Sequence, residues 1–238
     1  NLGVIMFDEA LDSSGNPREH YKNYVSWLKG CPSGYLDSRM LEADLMFRRI
    51  GITFAVYGDG ESTERLIPSD PVPRIIPADE WAFLEKGLEQ RVTALNMFLH
   101  DVYHEGKIFK DGIIPAEKIY KNAQFQPCMM GLDLPNQVYS LISGVDIIRN
   151  DDGNYYVLED NLRVPSGVSY MLQNRRMSQR LFPELFAKYN VLPVERYPSL
   201  LRQTLSECSF YHTPTIVVHT PGPYNSAYYE HAYLAKEM

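Results

Sequence analysis

The chain has 238 residues, room for one large domain or two small ones with a sizeable core. A net charge of −7 argues against nucleic acid as a main partner and against a basic membrane-binding face, and no apolar run of about 18 residues or signal-peptide pattern is present. Cys31, Cys128 and Cys208 are few, odd in number and form no CxxC pair, so neither a disulfide framework nor a zinc site is expected and a reducing cytoplasm is.

In chain order, residues 18–29 and 36–49 read as two helices separated by Gly30-Cys31-Pro32-Ser33-Gly34. Asp37 or Ser38 is placed to cap the second, and Gly51 to end it. Ile52 to Tyr57 alternates like a strand, and Gly58-Asp59-Gly60 after it reads as a turn rather than a phosphate loop. Residues 63–77 hold Pro68, Pro71, Pro73 and Pro77, which predicts extended, irregular chain. From Asp79, a candidate N-cap, Trp81, Leu84, Leu88, Val92, Leu95, Leu99 and Val102 recur at spacings of three and four up to Gly106. That is an amphipathic helix of about seven turns, with Gln90, Arg91 and Asn96 on its solvated face. A short helix over 115–122 and a loop over 123–135 follow.

The most informative stretch is GVDIIRNDDGNYYVLEDNLRVPSG, residues 144–167. Val145 to Ile148 and Tyr155 to Leu158 are β-rich, and Asp151-Asp152-Gly153 between them signals a hairpin. With a two-residue Asp152-Gly153 turn, Asp146 falls directly opposite Glu159. Asn161 shares the face of Glu159, because side-chain direction repeats every two residues. A three-residue loop shifts this pairing by one. Opposed carboxylates repel and destabilise a sheet. Either the face is simply solvated, or a divalent cation relieves the repulsion. Two carboxylates and a carboxamide are hard oxygen ligands suited to magnesium or manganese, and magnesium readily takes the remainder from water and phosphate.

Beyond the hairpin, helices are expected around 178–189 and 197–207. Pro214 to His219 reads as a buried-type strand, and Asn225 or Ser226 is placed to cap a further helix. That helix runs to Met238 without a stop signal, which suggests a chain continuing within a larger protein. No internal repeat is visible.

A strand carrying Asp, a short turn and a strand ending Glu159-Asp160-Asn161, then Pro165-Ser166-Gly167 and Ser169, resembles the metal-binding hairpin of ATP-grasp ligases. DEALDSSGNPREHY, GITFAVYGDG, PSDPVPRIIPADEW, GLEQRVTALNMFLHDVY, EDNLRVPSGVSYML and TPGPYNSAYYEHAYLA together resemble the circularly permuted ATP-grasp type 2 group, whose members are often labelled glutathionylspermidine-synthase-like. The resemblance implies an ATP-dependent carboxylate–amine ligase acting on small-molecule or peptide substrates through an acyl phosphate. Asp146, Glu159 and Asn161 would then hold Mg2+ (or Mn2+) between ATP phosphates.

Arg163, just past the ligands, would be the catalytic cation. Ser166, Gly167, Arg175 and Arg176 would lie on the nucleotide side. Where many members carry Arg two residues before the Asp, this chain has Gly144. The ATP-gripping lysines of the group would lie beyond the segment resembling TPGPYNSAYYEHAYLA, so this chain resembles the N-terminal half and would be inactive alone. The implied fold is α+β passing into α/β. A helical portion spans 1–122, the metal hairpin region spans 123–190, and a truncated Rossmann-like unit begins over 191–238. A carboxylate-pair hydrolase resembling glycosidases would leave Asn161 without a role. A non-catalytic scaffold would tolerate loss of all three ligands.

Overall fold

The computed structural model describes residues 7–51, 53–58, 61–66 and 70–238. They form two compact units, one from residues up to Ile76 together with Ser166–Met238, the other from Pro77–Pro165.

In the first unit a short 3-10 turn, Glu19–Tyr21, leads into α1 (Lys22–Gly30), and α2 runs from Tyr35 to Ile50. Gly34 and Gly51, both left-handed, bracket α2, conformations a residue with Cβ adopts at a cost. The expected side-chain cap is absent: Ser38 Oγ donates to the Tyr35 carbonyl inside the first turn instead. β1 (Thr53–Gly58) pairs antiparallel with β2 (Glu61–Leu66). Residues 63–66 are thus extended as expected but in a regular ladder rather than irregular, because the first proline of that stretch, Pro68, comes only after the ladder ends. Ile52 and the expected turn residues Asp59 and Gly60 lie outside the described residues.

The second unit is organised on α3 (Ala78–Tyr103), 26 residues starting behind Pro77 rather than from an Asp79 cap. Asp79 and Glu80 sit in its first turn, where negative charge suits the exposed N–H groups. Two short helices, α4 (Lys107–Lys110) and α5 (Ala116–Tyr120), follow. The Asp101 carboxylate caps the start of α4 through the N–H groups of Lys107 and Ile108. β3 (Gly144–Arg149) and β4 (Tyr155–Asn161) then form a two-stranded antiparallel sheet.

Returning to the first unit, α6 (Val168–Leu181) starts ten residues before the expected 178 and stops where Phe182 meets Pro183, which begins α7 (Pro183–Phe186). Proline cannot supply the N–H that continuation would need. α8 (Tyr197–Glu207) and α9 (Tyr228–Glu237) complete the order. The core gathers Tyr21, Tyr24 and Trp27 of the N-terminal helical pair with Ala43, Phe47, Met177, Leu181, Phe182 and Leu185. Phe47 and Trp27 are aromatic anchors whose burial contributes roughly 2–3 kcal/mol each.

Pro214 to His219 forms no strand. Burial alternates along it, Ile216 and Val218 being partly covered and Val217 exposed, but no ladder partner exists among the described residues. Period-two patterning prepares a segment for a sheet; hydrogen-bonded neighbours make it a strand. Asn225 caps only a turn, accepting from the Ala227 N–H at 2.9 Å, and α9 starts behind Ala227.

Candidate functional site

The β3–β4 hairpin carries the sequence-predicted residues, and its register is reached by two offsetting irregularities. At the tip, the Asn150 N–H donates to the Asn154 carbonyl at 2.9 Å and the Gly153 N–H to Asn150 at 2.8 Å. The loop is therefore three residues, Asp151-Asp152-Gly153, with Gly153 left-handed at φ 79°. This corrects the expected two-residue turn. The first rungs, Arg149 with Tyr155 and Ile147 with Val157, are displaced by one from that expectation. A β-bulge then inserts Leu158, and from there Asp146 stands opposite Glu159, Val145 opposite Asp160 and Gly144 opposite Asn161.

The bulge decides which way the acidic side chains point. Ile147, Tyr155 and Val157 line a groove against α3 with Phe83, Leu84 and Leu88. In an unbulged strand Glu159 and Asn161 would follow Tyr155 and Val157 onto that helix-facing side. The extra residue turns them onto the exposed face beside Asp146 and turns Asp160 inward, so Asp160 is shielded while Asp146, Glu159 and Asn161 are exposed. Asn161 Nδ2 donates to Glu159 Oε1 at 3.2 Å, which leaves its own Oδ1 available. Gly144 keeps the spot open: a Cβ there would meet Pro165 Cβ at 2.8 Å and Asn161 Cβ at 3.5 Å.

The helix holds this hairpin at both ends. Near the tip, Arg149 Nη2 reaches Glu80 Oε1 at 2.7 Å and the Tyr155 hydroxyl reaches Glu80 Oε2 at 2.9 Å. At the open end Arg91 forks onto Asp160, Nε to Oδ1 at 2.7 Å and Nη2 to Oδ2 at 2.6 Å. The Arg91 guanidinium holds the Asp160 carboxyl below its usual range. One turn and a half further on, Asn96 Oδ1 accepts from the N–H groups of Tyr139 and Ser140 at 2.7 and 2.9 Å, fixing the chain that enters β3. Arg91 and Asn96 are thus tethers: Arg91 is one while exposed, as its position suggested, and Asn96 is half-buried rather than on a solvated face. No local signal marks them, since their partners lie 43 to 69 residues away.

The other predicted residues are placed as follows. Arg163 is exposed and donates to Gln124 Oε1 at 2.9 Å. Val164 beside it is 86% exposed in a left-handed conformation, φ 46°, costly for a β-branched residue. Ser166, Gly167, Arg175 and Arg176 belong to the other unit. Ser166 is exposed. The Gly167 N–H is taken by the Glu230 carboxylate at 2.9 Å, and the Ser169 N–H and Oγ reach the same group at 2.9 and 2.7 Å. Glu230 is 3% exposed, a buried acid capping α6 that sequence reasoning missed because it lies some sixty residues on. Arg175 donates to the Leu192 carbonyl at 2.7 Å, and Arg176 pairs with Glu237 at 3.0 Å. Among the described residues no cluster of three or more His, Cys, Asp or Glu side chains is close enough for a metal, so any cation on the hairpin face would need the Asn161 carboxamide and outside oxygens. No helix among them is long and apolar enough to cross a membrane.

Comparison with known proteins gives the lineage. An uncharacterized protein of Synechocystis is 42% identical over 235 residues, covering 98% of this chain and 49% of its own length. One from Mycobacterium leprae is 44% identical over 236 residues, 98% of this chain and 41% of its own length. A protein of Frankia casuarinae provisionally named glutamate--cysteine ligase 2-2 is 37% identical over 235 residues, 98% of this chain and 27% of its own length. The chain thus spans half or less of these relatives. Residues 73–238, which include the whole hairpin, match the family model described as a circularly permuted ATPgrasp, and the chain belongs to that family.

Proposed function

We propose that this chain is the metal-bearing part of an ATP-dependent carboxylate–amine ligase, and that Asp146, Glu159 and Asn161 hold its Mg2+. The observation that carries the reading is the facing of Asp146 and Glu159 across the ladder, with Asn161 on the same exposed side. A sheet that places two carboxylates in register and bends a strand to do so maintains an arrangement that is unfavourable without a cation. The donor set is all oxygen, as magnesium prefers. Membership of the ATP-grasp family supports ATP as the second cofactor, and the name of the Frankia relative supports a carboxylate and an amine as substrates.

In such a reaction the γ-phosphoryl group of ATP passes to the substrate carboxylate, ADP leaves, and the amine then displaces phosphate from the acyl phosphate to form the amide. Magnesium, when bound, neutralises phosphate charge and aligns the transfer. The chain's residues do the placing. Asp146 and Glu159 offer carboxylate oxygens on one exposed face, and Asn161 orients Glu159 through Nδ2 while offering Oδ1. Arg163, exposed just past β4, is placed to meet an anionic oxygen of nucleotide or acyl phosphate, where a guanidinium can fork. Ser166, three residues on in sequence and part of the other unit, is exposed. Arg163, like the amide of Gly167 and the guanidinium groups of Arg175 and Arg176, has an internal partner, so Arg163 is preferred only because it follows the ligand pair directly in the same unit.

The test is Mn2+ binding to the chain by electron paramagnetic resonance, with thermal melting in parallel. Wild type should bind and be stabilised by about 2.7 kcal/mol at a hundredfold excess over the dissociation constant. Glu159→Gln should keep the fold and lose both effects. Undiminished Mn2+ binding by Glu159→Gln, or none by wild type, would remove the metal from the hairpin.

A further inference from the structure

One contact on the helix-facing side of the hairpin has a geometry out of proportion to its surroundings. Arg91 and Asp160 form a two-point pair in which two of the three guanidinium nitrogens, Nε and Nη2, meet both carboxylate oxygens. Arg–carboxylate forks fix orientation as well as distance, which a single-point contact cannot do. Asp160 is the residue between Glu159 and Asn161, so whatever fixes its side chain inward fixes theirs outward.

The placement matters because the hairpin sequence admits two registers. The three-residue loop sets the first rungs, and a regular ladder continued from them would put Asp146 opposite Leu158 and Val145 opposite Glu159. Glu159 would then face α3, and Asp160 would point to the exposed side. Only the bulge at Leu158 converts that arrangement into the observed one. Leu158 is 63% exposed, so burial of its own side chain gives the bulge little support. The tip anchors, Glu80 to Arg149 and Tyr155, lie before the bulge. Past it, the Ser140 hydroxyl donates to the Leu162 carbonyl at 3.3 Å and Arg163 to Gln124, but within β4 itself Arg91 is the side-chain hold on Asp160. The helix rises about 16 Å over the eleven residues from Glu80 to Arg91. Arg149 to Val145 spans about 13 Å along β3. One straight helix lying along the hairpin can therefore hold both ends together.

We propose that Arg91 is a positioning residue for the metal site: by forking onto Asp160 it selects the bulged register of β4 and so keeps Glu159 and Asn161 on the Asp146 face. This rests on the reading of those three side chains as magnesium ligands and adds to it the device that assembles them. Arg91 itself lies on the helix-facing side of the hairpin, away from the face that carries Asp146, Glu159 and Asn161.

The experiment measures Mn2+ dissociation constants of the chain by electron paramagnetic resonance, with amide hydrogen exchange of the metal-free hairpin. Arg91→Ala and Asp160→Asn should each weaken Mn2+ binding about ten- to a hundredfold, the range seen when outer partners of metal ligands are removed. The double variant should be no worse than either single one, as expected of one coupled unit. Arg91→Lys should recover only part of the affinity, because an ammonium cannot fork. Glu80→Gln, which loosens the tip, should lower the melting temperature while leaving the constant within about twofold, the scatter of ordinary surface changes. Amides of residues 159–161 should exchange at least tenfold faster in metal-free Arg91→Ala. Binding by Arg91→Ala within twofold of wild type, or unchanged exchange at 159–161, would overturn the positioning role. Equal weakening by Glu80→Gln would reduce it to general stability. Failure of wild type to bind Mn2+ would instead overturn the metal reading, and the inference with it.

Discussion

Two acidic sites show opposite uses of a carboxylate. Glu230 is buried and accepts from two backbone N–H groups and one hydroxyl at the start of α6. Asp146 and Glu159 stand exposed and opposed, with Asn161 as the hydrogen-bond partner seen at Glu159. A buried charge must be matched by donors, or folding carries its desolvation cost. An exposed pair of like charges is tolerated without donors, and unmet acceptor capacity on a built surface is what a cation can use. The contrast separates a structural acid from candidate functional ones without reference to sequence motifs. It also bears on the predicted nucleotide contact at Gly167, whose amide serves the structural acid.

The largest expected effect comes from removing the buried acid. Glu230→Ala leaves Gly167 N–H, Ser169 N–H and Ser169 Oγ without their acceptor, at about 1–3 kcal/mol for each buried donor left unmet, less whatever entering water restores. The melting temperature should fall by about 5–10 °C for a chain of this size. A fall under 2 °C would show that Glu230 is no more structural than the hairpin acids and would erase the contrast.

The next effect is on pH dependence in the same region. Burial pushes Tyr229 up to about 12, and burial followed by the charge of Glu230 raises Tyr170 and Tyr197. With the folded value above the unfolded one, the neutral hydroxyl contributes stability that is complete below about pH 10 and is lost as pH rises toward 12. Stability should therefore fall across that window, by about 1.4 kcal/mol per pH unit for Tyr229. Tyr229→Phe should flatten the slope of melting temperature against pH by one proton's worth. An unchanged slope would place the alkaline loss elsewhere.

Of this architecture, the sequence revealed what is local. The α3 periodicity, the Gly51 stop and the two β-rich runs are each encoded within a few residues, and all were legible. The facing of Asp146 and Glu159 was also expected, but through a two-residue turn that does not form; a three-residue loop and a bulge at Leu158 reach the same pairing. Nothing around Leu158 marks a bulge, because its support comes from Arg91, 69 residues from Asp160. Glu230 was invisible for the same reason. The Pro214–His219 run shows the opposite failure: its composition reads as strand, yet a strand also requires a neighbour.

A smaller effect tests how tightly the open end of the hairpin is fitted. A Cβ at Gly144 would approach Pro165 Cβ to 2.8 Å, so either the Pro165 turn or β3 must move. Gly144→Ala should cost about 1–3 kcal/mol, as overpacking typically does, and should weaken Mn2+ binding by displacing Asn161. Wild-type stability together with wild-type affinity would mean that the glycine is incidental.

The smallest effect has the opposite sign and is the sharpest test of the contrast. If Asp146 and Glu159 are held opposed for a cation, then without one they repel, and like charges directly across a ladder destabilise by about 0.2–1 kcal/mol. Asp146→Asn keeps size and shape and removes one charge, so the metal-free variant should melt about 1–3 °C higher than wild type. Raised ionic strength should shrink the difference, since exposed charges are screened within about 10 Å at 0.1 M salt. Saturating Mn2+ should reverse the order, because only wild type gains binding energy. Stabilising the apo chain while losing the metal is the signature of a residue kept for function at the expense of stability. Should metal-free Asp146→Asn melt below wild type, as Glu230→Ala is expected to, the hairpin carboxylates would be structural acids after all, and the two sites would differ only in depth.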